Sequence, residues 1–178
     1  MGKNKKIWIV VPVFSRPVEI HNLLNDLLRQ TYYNFHVVVV DHGTEKVDFS
    51  LVTDSRVEIL SQSSKFWWTG AINRGLEHVL REKKDGEFIL IINDDVVLDG
   101  DYLENVVAAG NKYPDAIIGS ISVNKYTGII LSADNRLIFS RAKFGSSWQG
   151  KKINEIKEKF VKSDILPGRG MLIPESVI

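Results

Sequence analysis

Five apolar residues, Phe88-Ile89-Leu90-Ile91-Ile92, run without interruption into Asn93-Asp94-Asp95, and that junction constrains the chain more than any other stretch of it. An unbroken β-branched and aromatic run of this kind reads as a strand covered on both faces, the pattern of a parallel sheet. Carboxylates just after such a strand stand at the sheet's carboxyl edge, where hard oxygen ligands suit Mg²⁺ or Mn²⁺ beside a phosphorylated ligand. Asn and Asp are equally at home in a turn, where their side chains bond to their own backbone. On its residues alone the triplet leaves both readings open.

The same strand type recurs along the chain. Ile7 to Val13 is a β-branched run containing Pro12, Val37 to Val40 leads into Asp41-His42-Gly43, and Val57-Glu58-Ile59-Leu60 precedes the polar loop Ser61 to Ser64. From Pro17 the residues Ile20, Leu23, Leu24, Leu27 and Leu28 repeat at helical spacing, with Ser15 as the expected cap and Glu19 in the first turn. Ile72, Gly75, Leu76, Val79 and Leu80 predict a second helix stopped by Lys83-Lys84-Asp85-Gly86, and Tyr102 to Lys112 a third. Ala116 to Ser120, Gly128 to Ser132, Leu137 to Phe139 and Ile165 to Pro174 are strand-like, and Lys151 to Lys162 is a charged stretch. Strands alternating with helices predict an α/β fold, Rossmann-like, with a mostly parallel central sheet flanked by helices.

With 178 residues the expectation is one domain over 1–178. A net charge of +1 offers no broad basic surface, so nucleic acid is not the expected partner. The absence of cysteine excludes disulfides and thiolate metal sites and fits a reducing cytoplasm. The start, Met1 to Lys6, is basic, and the apolar run Ile7 to Val13 is far short of the ~20 residues of a membrane helix.

Other residues carry chemistry of the same kind. Asp41 ends a strand and has the acceptor oxygens to take a nucleobase N–H, or to close a turn. Gly70-Ala71-Ile72-Asn73-Arg74-Gly75 lacks both the Lys-Ser/Thr of a phosphate loop and the Gly-x-Gly of a dinucleotide fingerprint. It can still offer backbone N–H groups and the Asn73 amide at a helix N-terminus, while Gly75 suits tight helix packing. Trp67 and Trp68 suit stacking on a base or sugar, or the core. Arg16, Lys65 and Arg169 are candidate phosphate partners. His21, His36, His42 and His78 show no paired metal spacing and no serine elbow is present, which leaves metal-assisted phosphate chemistry.

Together these segments resemble glycosyltransferase family 2, inverting enzymes of the GT-A fold, in motif order and over almost the whole chain. Val11-Pro12-Val13-Phe14-Ser15-Arg16 is similar to the family's opening Val-Pro-Val-Tyr-Asn-Arg, which implies that Pro12, Val13, Phe14 and Arg16 lie against the nucleotide. Val40-Asp41-His42-Gly43-Thr44 resembles Val-Asp-Asn-Gly-Ser, implying a base contact for Asp41. The segment Phe66 to Gly75 resembles the stretch that approaches nucleotide and donor sugar, here with Lys65, Trp68, Gly70 and Asn73. Ile91-Ile92-Asn93-Asp94-Asp95-Val96 resembles the rhamnosyltransferase-like form of the metal motif, implying Asp95 as metal ligand and Asp94 near ribose or metal, with Asn93 in place of a carboxylate. Leu166 to Ile173 is similar to the small-residue strand that borders the donor and acceptor pockets.

The resemblance implies inverting transfer of a sugar from a nucleoside-diphosphate sugar to a glycan or lipid-linked acceptor, assisted by Mg²⁺ or Mn²⁺. It places a nucleotide-binding half at 1–122 and the start of an acceptor-side half at 123–178. The implied setting is polysaccharide assembly in the cytoplasm, extending to peripheral association with the inner face of the membrane. The family's general base falls beyond Ile178, so the expectation is a chain truncated at its C-terminus. The alternatives are a nucleotidyltransferase, whose glycine-rich loop is missing between Pro12 and Pro17, and a non-catalytic nucleotide- or metal-binding domain.

Overall fold

The computed structural model describes residues 5–177; Met1 to Asn4 of the basic start, and the expected base beyond Ile178, lie outside them. The principal strands are β1 (Ile7–Val13), β2 (Phe35–Asp41), β3 (Val57–Ser61) and β4 (Phe88–Ile91), with helices α1 (Pro17–Leu28), α2 (Trp67–Glu82) and α3 (Tyr102–Lys112). Short strands follow: β5 (Ile118–Gly119), β6 (Ser122–Val123), β7 (Ile130–Ser132), β8 (Arg136–Ile138), β9 (Lys143–Gly145) and β10 (Met171–Ile173). The main sheet has the order β3-β2-β1-β4-β10-β5, and β1 pairs in parallel with both β2 and β4. The chain steps outward from β1 to β3 and then returns to the other side of β1 with β4. That reversal makes the carboxyl ends of β1 and β4 a switch point, where such sheets open a crevice.

The unbroken apolar runs follow from burial on both faces. Alternate residues Ile7, Ile9, Val11, Val37, Val39, Phe88 and Leu90 share one core with Ile20, Leu23, Leu24 and Leu27 of α1 and with Leu103, Val106 and Val107 of α3. Each fully buried leucine or isoleucine of α1 contributes roughly 1.5–3 kcal/mol. On the opposite face α2 lies so close that a Cβ on Gly75 would stand 2.4 Å from Val10 Cγ1 and 3.0 Å from Val40 Cγ2. Gln30, only 1% exposed, staples α1 to the loop after β4: its Oε1 accepts the Leu103 N–H at 2.9 Å and its Nε2 donates to the Asp99 carbonyl at 2.8 Å.

The structure departs from the sequence reading in four places. Pro17 occupies the first turn of α1, so Arg16 is the capping position and it makes no side-chain cap bond. Ser15 instead has φ 51° and spends its hydroxyl on Glu45. The second helix begins at Trp67, which leaves Gly70 and Asn73 within its first two turns rather than before it. Trp67 and Trp68 are not core residues, being 77% and 43% exposed. Of Ile165 to Pro174 only Met171–Ile173 is strand, because Pro167 has no N–H to donate and Gly170 turns the chain at φ 106°.

The chain divides into two compact units, one of Met1–Ile118 with Leu172–Ile178 and the other of Gly119–Met171. Leu172, fully buried in the first unit's core, accounts for the return of the chain end to that unit. In the second unit β6 pairs with β7 and β8 with β9, both antiparallel. There the buried Asp134 accepts the Ser146 hydroxyl at 2.6 Å and the Ser147 N–H at 3.1 Å, closing a loop on itself.

Near the amino ends of β2 and β3, His36 and His78 both point a ring nitrogen at Glu58, at 3.6 and 3.0 Å. Burial, helped by Lys6, lowers the His36 pKa from 6.5 against the upward pull of Glu58. The unfolded chain therefore binds the proton more readily, and the stability due to the neutral ring is lost as pH falls through the unfolded value. Taking the protein from about pH 7.5 to about pH 5 is expected to lower its unfolding midpoint, and His36→Gln to flatten that dependence. An identical slope in the variant would remove His36 as its source.

Candidate functional site

A cleft of about 330 Å³ opens at the carboxyl ends of β1, β2 and β4. Pro12 of β1 and the following Phe14 and Arg16 form one side, and Asn93, Asp94 and Asp95 form another. His42, just past β2, and Trp67 and Trp68, at the start of α2, complete it. The loop after β1 is held in place by Ser15, whose hydroxyl donates to the Glu45 carbonyl at 3.1 Å and accepts the Glu45 N–H at 3.2 Å. Gly43 is needed for that close approach, since a Cβ there would lie 2.6 Å from both Ser15 N and Ser15 Oγ.

The acidic pair forms a turn directly after β4. One guanidinium nitrogen of Arg16 lies 3.3 Å from Asp94 Oδ1 and 3.6 Å from Asp95 Oδ2. Burial raises the Asp94 pKa; Arg16 opposes that rise, and the neighbouring Asp95 and Glu19 reinforce it. Asp95, with 40% of its side chain exposed, keeps oxygens open to the cleft and solvent. Trp68 Nε1 donates to Asn93 Oδ1 at 3.0 Å, tying the start of α2 to the turn. Trp67 stands at φ 51° and ψ −172°, an uncommon conformation for a bulky side chain that costs about 1–3 kcal/mol.

Eight residues singled out from the sequence thus meet in one cleft: Pro12, Phe14, Arg16, Trp67, Trp68, Asn93, Asp94 and Asp95. Five others do not line it. Val13 is wholly in the core. Asp41 is 3% exposed, and its two oxygens accept the N–H groups of Gly43 and Val47, each at 3.1 Å. Lys65 is exposed on a single 3₁₀ turn, Gly70 closes against Phe66, and Asn73 is exposed on α2. The sequence reading missed His42, having weighed its histidines only as zinc ligands. Position just beyond a strand's carboxyl end was the signal available for His42.

Two carboxylates converging on one cationic nitrogen fit a divalent ion. Among the described residues no group of three or more His, Asp or Glu side chains is arranged to hold a metal. Asp94 and Asp95 offer hard oxygen donors of the kind that Mg²⁺ and Mn²⁺ take.

A mainly parallel sheet of this order, with helices on both faces and its crevice at the β1/β4 switch point, defines a GT-A type α/β protein. The chain belongs to glycosyl transferase family 2, whose sequence profile matches residues 8–168. It is 28% identical over 120 residues to Glycosyltransferase GlyG of Streptococcus pneumoniae serotype 4 (strain ATCC BAA-334 / TIGR4). That match covers 64% of this chain and 38% of the relative's length. Its fold is similar to that of S. aureus TarS 1-349 in complex with UDP-GlcNAc, with TM-score 0.55, 20% identity, and coverage of 76% of this chain and 42% of the other. The UDP complex of the same protein gives TM-score 0.54 at 22% identity, over 70% of this chain and 38% of the other.

Proposed function

We propose that this chain binds the nucleoside-diphosphate sugar of a glycosyltransferase that passes the sugar, with inversion, to an acceptor hydroxyl. The observation that carries the reading is the convergence of Asp94 and Asp95 on Arg16 at the carboxyl end of β4, inside a cleft walled by exposed aromatics. Family membership supports it, and so does the presence of UDP-GlcNAc on TarS, a protein of similar fold.

Asp95 and Asp94 would hold Mg²⁺ or Mn²⁺, which when bound neutralises charge on the leaving diphosphate. Arg16, released from the carboxylates, offers its guanidinium to a phosphate oxygen. Trp67 and Trp68 present apolar faces on which a sugar or base can stack, and the bond from Trp68 to Asn93 keeps the β4 turn in register with them. Residues 1–122 serve the nucleotide and 123–178 begin the acceptor side, with a glycan or lipid-linked acceptor in polysaccharide assembly. Among the described residues no helix is long and apolar enough to cross a membrane; the proposed setting is cytoplasmic, with peripheral membrane contact through the acceptor.

Calorimetry with UDP, dTDP and GDP, each with and without Mn²⁺, tests the reading. Binding of at least one nucleotide that depends on the metal is expected; failure of all three in the presence of Mn²⁺ would refute it.

A further inference from the structure

We propose that the β8–β9 hairpin docks on an anionic lipid surface, its aromatic side chains entering the interface and its cations meeting the headgroups. The charge of the chain is divided unevenly between its two units. Gly119–Met171 carries ten Lys and Arg residues against four Asp and Glu, a net charge of +6, which leaves −5 on the rest of a chain whose total is +1. A block this basic within a chain of neutral total suits an anionic partner.

The hairpin concentrates that character. From Arg136 to Gly145 it contains Arg136, Arg141 and Lys143 and no carboxylate. Phe139 opens the 3₁₀ turn (Phe139–Arg141) between the strands and is 86% exposed, and Phe144 of β9 is 70% exposed. Leu137 and Phe144 pair across the two strands, which sets both side chains on one face. Arg141 and Lys143, next to the phenylalanines in the chain, are exposed as well. β8 and β9 form a sheet of their own, and a lone pair of strands is marginal in water unless it is held from outside. Asp164 does so at the base, where Oδ2 accepts the Leu137 N–H at 3.1 Å and Oδ1 lies 3.6 Å from Arg136. Among the described residues no carboxylate pairs with Arg141 or Lys143. The β6–β7 turn repeats the combination, with Tyr126 85% exposed and Lys125 Nζ 5.1 Å from its ring centre.

Exposed cations alone suit any polyanion. The phenylalanines distinguish the partner, because a phenyl ring has no hydrogen-bonding atom to offer a soluble anion and gains by leaving water at the acyl boundary. Each Lys or Arg close to an anionic leaflet strengthens binding roughly fivefold. The contact is made by the protein itself and not through an acceptor, so it stands apart from the donor-binding reading.

Flotation with vesicles of phosphatidylcholine alone, and of equal parts phosphatidylcholine and phosphatidylglycerol, tests the proposal. Wild type is compared with the double variants Phe139→Ser/Phe144→Ser and Arg141→Gln/Lys143→Gln, and with Leu51→Ser as control. Leu51 is 90% exposed in the other unit, so it reads the effect of losing any exposed apolar side chain. The replaced residues are all exposed, and unchanged melting temperatures verify that the variants fold. Wild type is expected to bind the anionic vesicles and not the neutral ones, and to release them as salt is raised. Each double variant is expected to bind about tenfold more weakly or worse, and Leu51→Ser as wild type does. Absence of wild-type binding to the anionic vesicles overturns the proposal, and so does an equal loss in Leu51→Ser. A loss confined to the cation variant overturns it in favour of a soluble polyanion.

Discussion

Asp95→Asn is expected to weaken Mn²⁺-supported nucleoside-diphosphate binding by about 100-fold, on the order of 3 kcal/mol, while leaving metal-free binding where it stands in the wild type. The two aspartates differ in what they have left to give. Asp94 has only 9% of its side chain exposed and lies nearer to Arg16, so little of it is open to an added cation. Asp95 is exposed to 40% and stands 3.6 Å from the same nitrogen, leaving oxygens for a second cation. Asparagine keeps the shape and the turn chemistry and removes the charge, which isolates metal binding from folding. Titrating nucleotide into wild type and variant in Mn²⁺ and in EDTA reads both numbers. Undiminished metal dependence in the variant would remove Asp95 as the principal ligand.

Gly75→Ala is expected to destabilise the protein by up to about 2 kcal/mol, because overpacking a tight core costs about 1–3 kcal/mol before alanine's helix propensity is set against it. For a chain of this size that lowers the melting temperature by up to roughly 8 °C. The added Cβ would meet Val10 Cγ1 at 2.4 Å and Val40 Cγ2 at 3.0 Å, and both valines are fully buried in central strands with nowhere to retreat. Alanine's helix propensity favours the variant by about 0.8–1 kcal/mol, which offsets only part of that cost. Gly100→Ala is the control, because nothing lies within 4 Å of a Cβ at Gly100. Equal melting temperatures for Gly75→Ala and wild type would show that α2 can shift away from the sheet at little cost.

These two positions also bear on each other. Gly75 seats α2 on β1 and β2, and the first turn of the same helix carries Trp67 and Trp68 into the cleft. A helix pushed off the sheet at Gly75 would carry its aromatic end with it, so Gly75→Ala should also weaken nucleotide binding, though less than Asp95→Asn does.

Much of the fold was legible because its signals are local. Uninterrupted apolar runs marked β1, β2 and β4, and apolar residues three and four apart marked α1 and α2, since each pattern repeats within a few residues of itself. Even Gly75, one of two readings for its segment, was visible as a place where a helix and a sheet approach closely. The errors were local rules overtaken by neighbours far along the chain. Ser15 had the chemistry of a cap, but Pro17 set the helix start and Glu45, thirty positions on, took the hydroxyl. Trp67 and Trp68 had the bulk of core residues, but the face of α2 that packs on the sheet is formed by Ala71, Ile72, Gly75 and Val79.

The acidic triplet shows where the division falls. Hydrophobic patterning along the chain places Asn93-Asp94-Asp95 after a buried strand and at the carboxyl edge of a mostly parallel sheet, because such patterning specifies strand burial and strand burial implies the topology. Folding in three dimensions is what brings Arg16, 78 positions away, to the two carboxylates, turns the Asp41 oxygens onto their own loop, and leaves His42 with an unmet nitrogen beside Phe14. Those outcomes depend on the direction and burial of side chains brought together by β1 lying between β2 and β4, and no pattern confined to one segment encodes a distance across three strands.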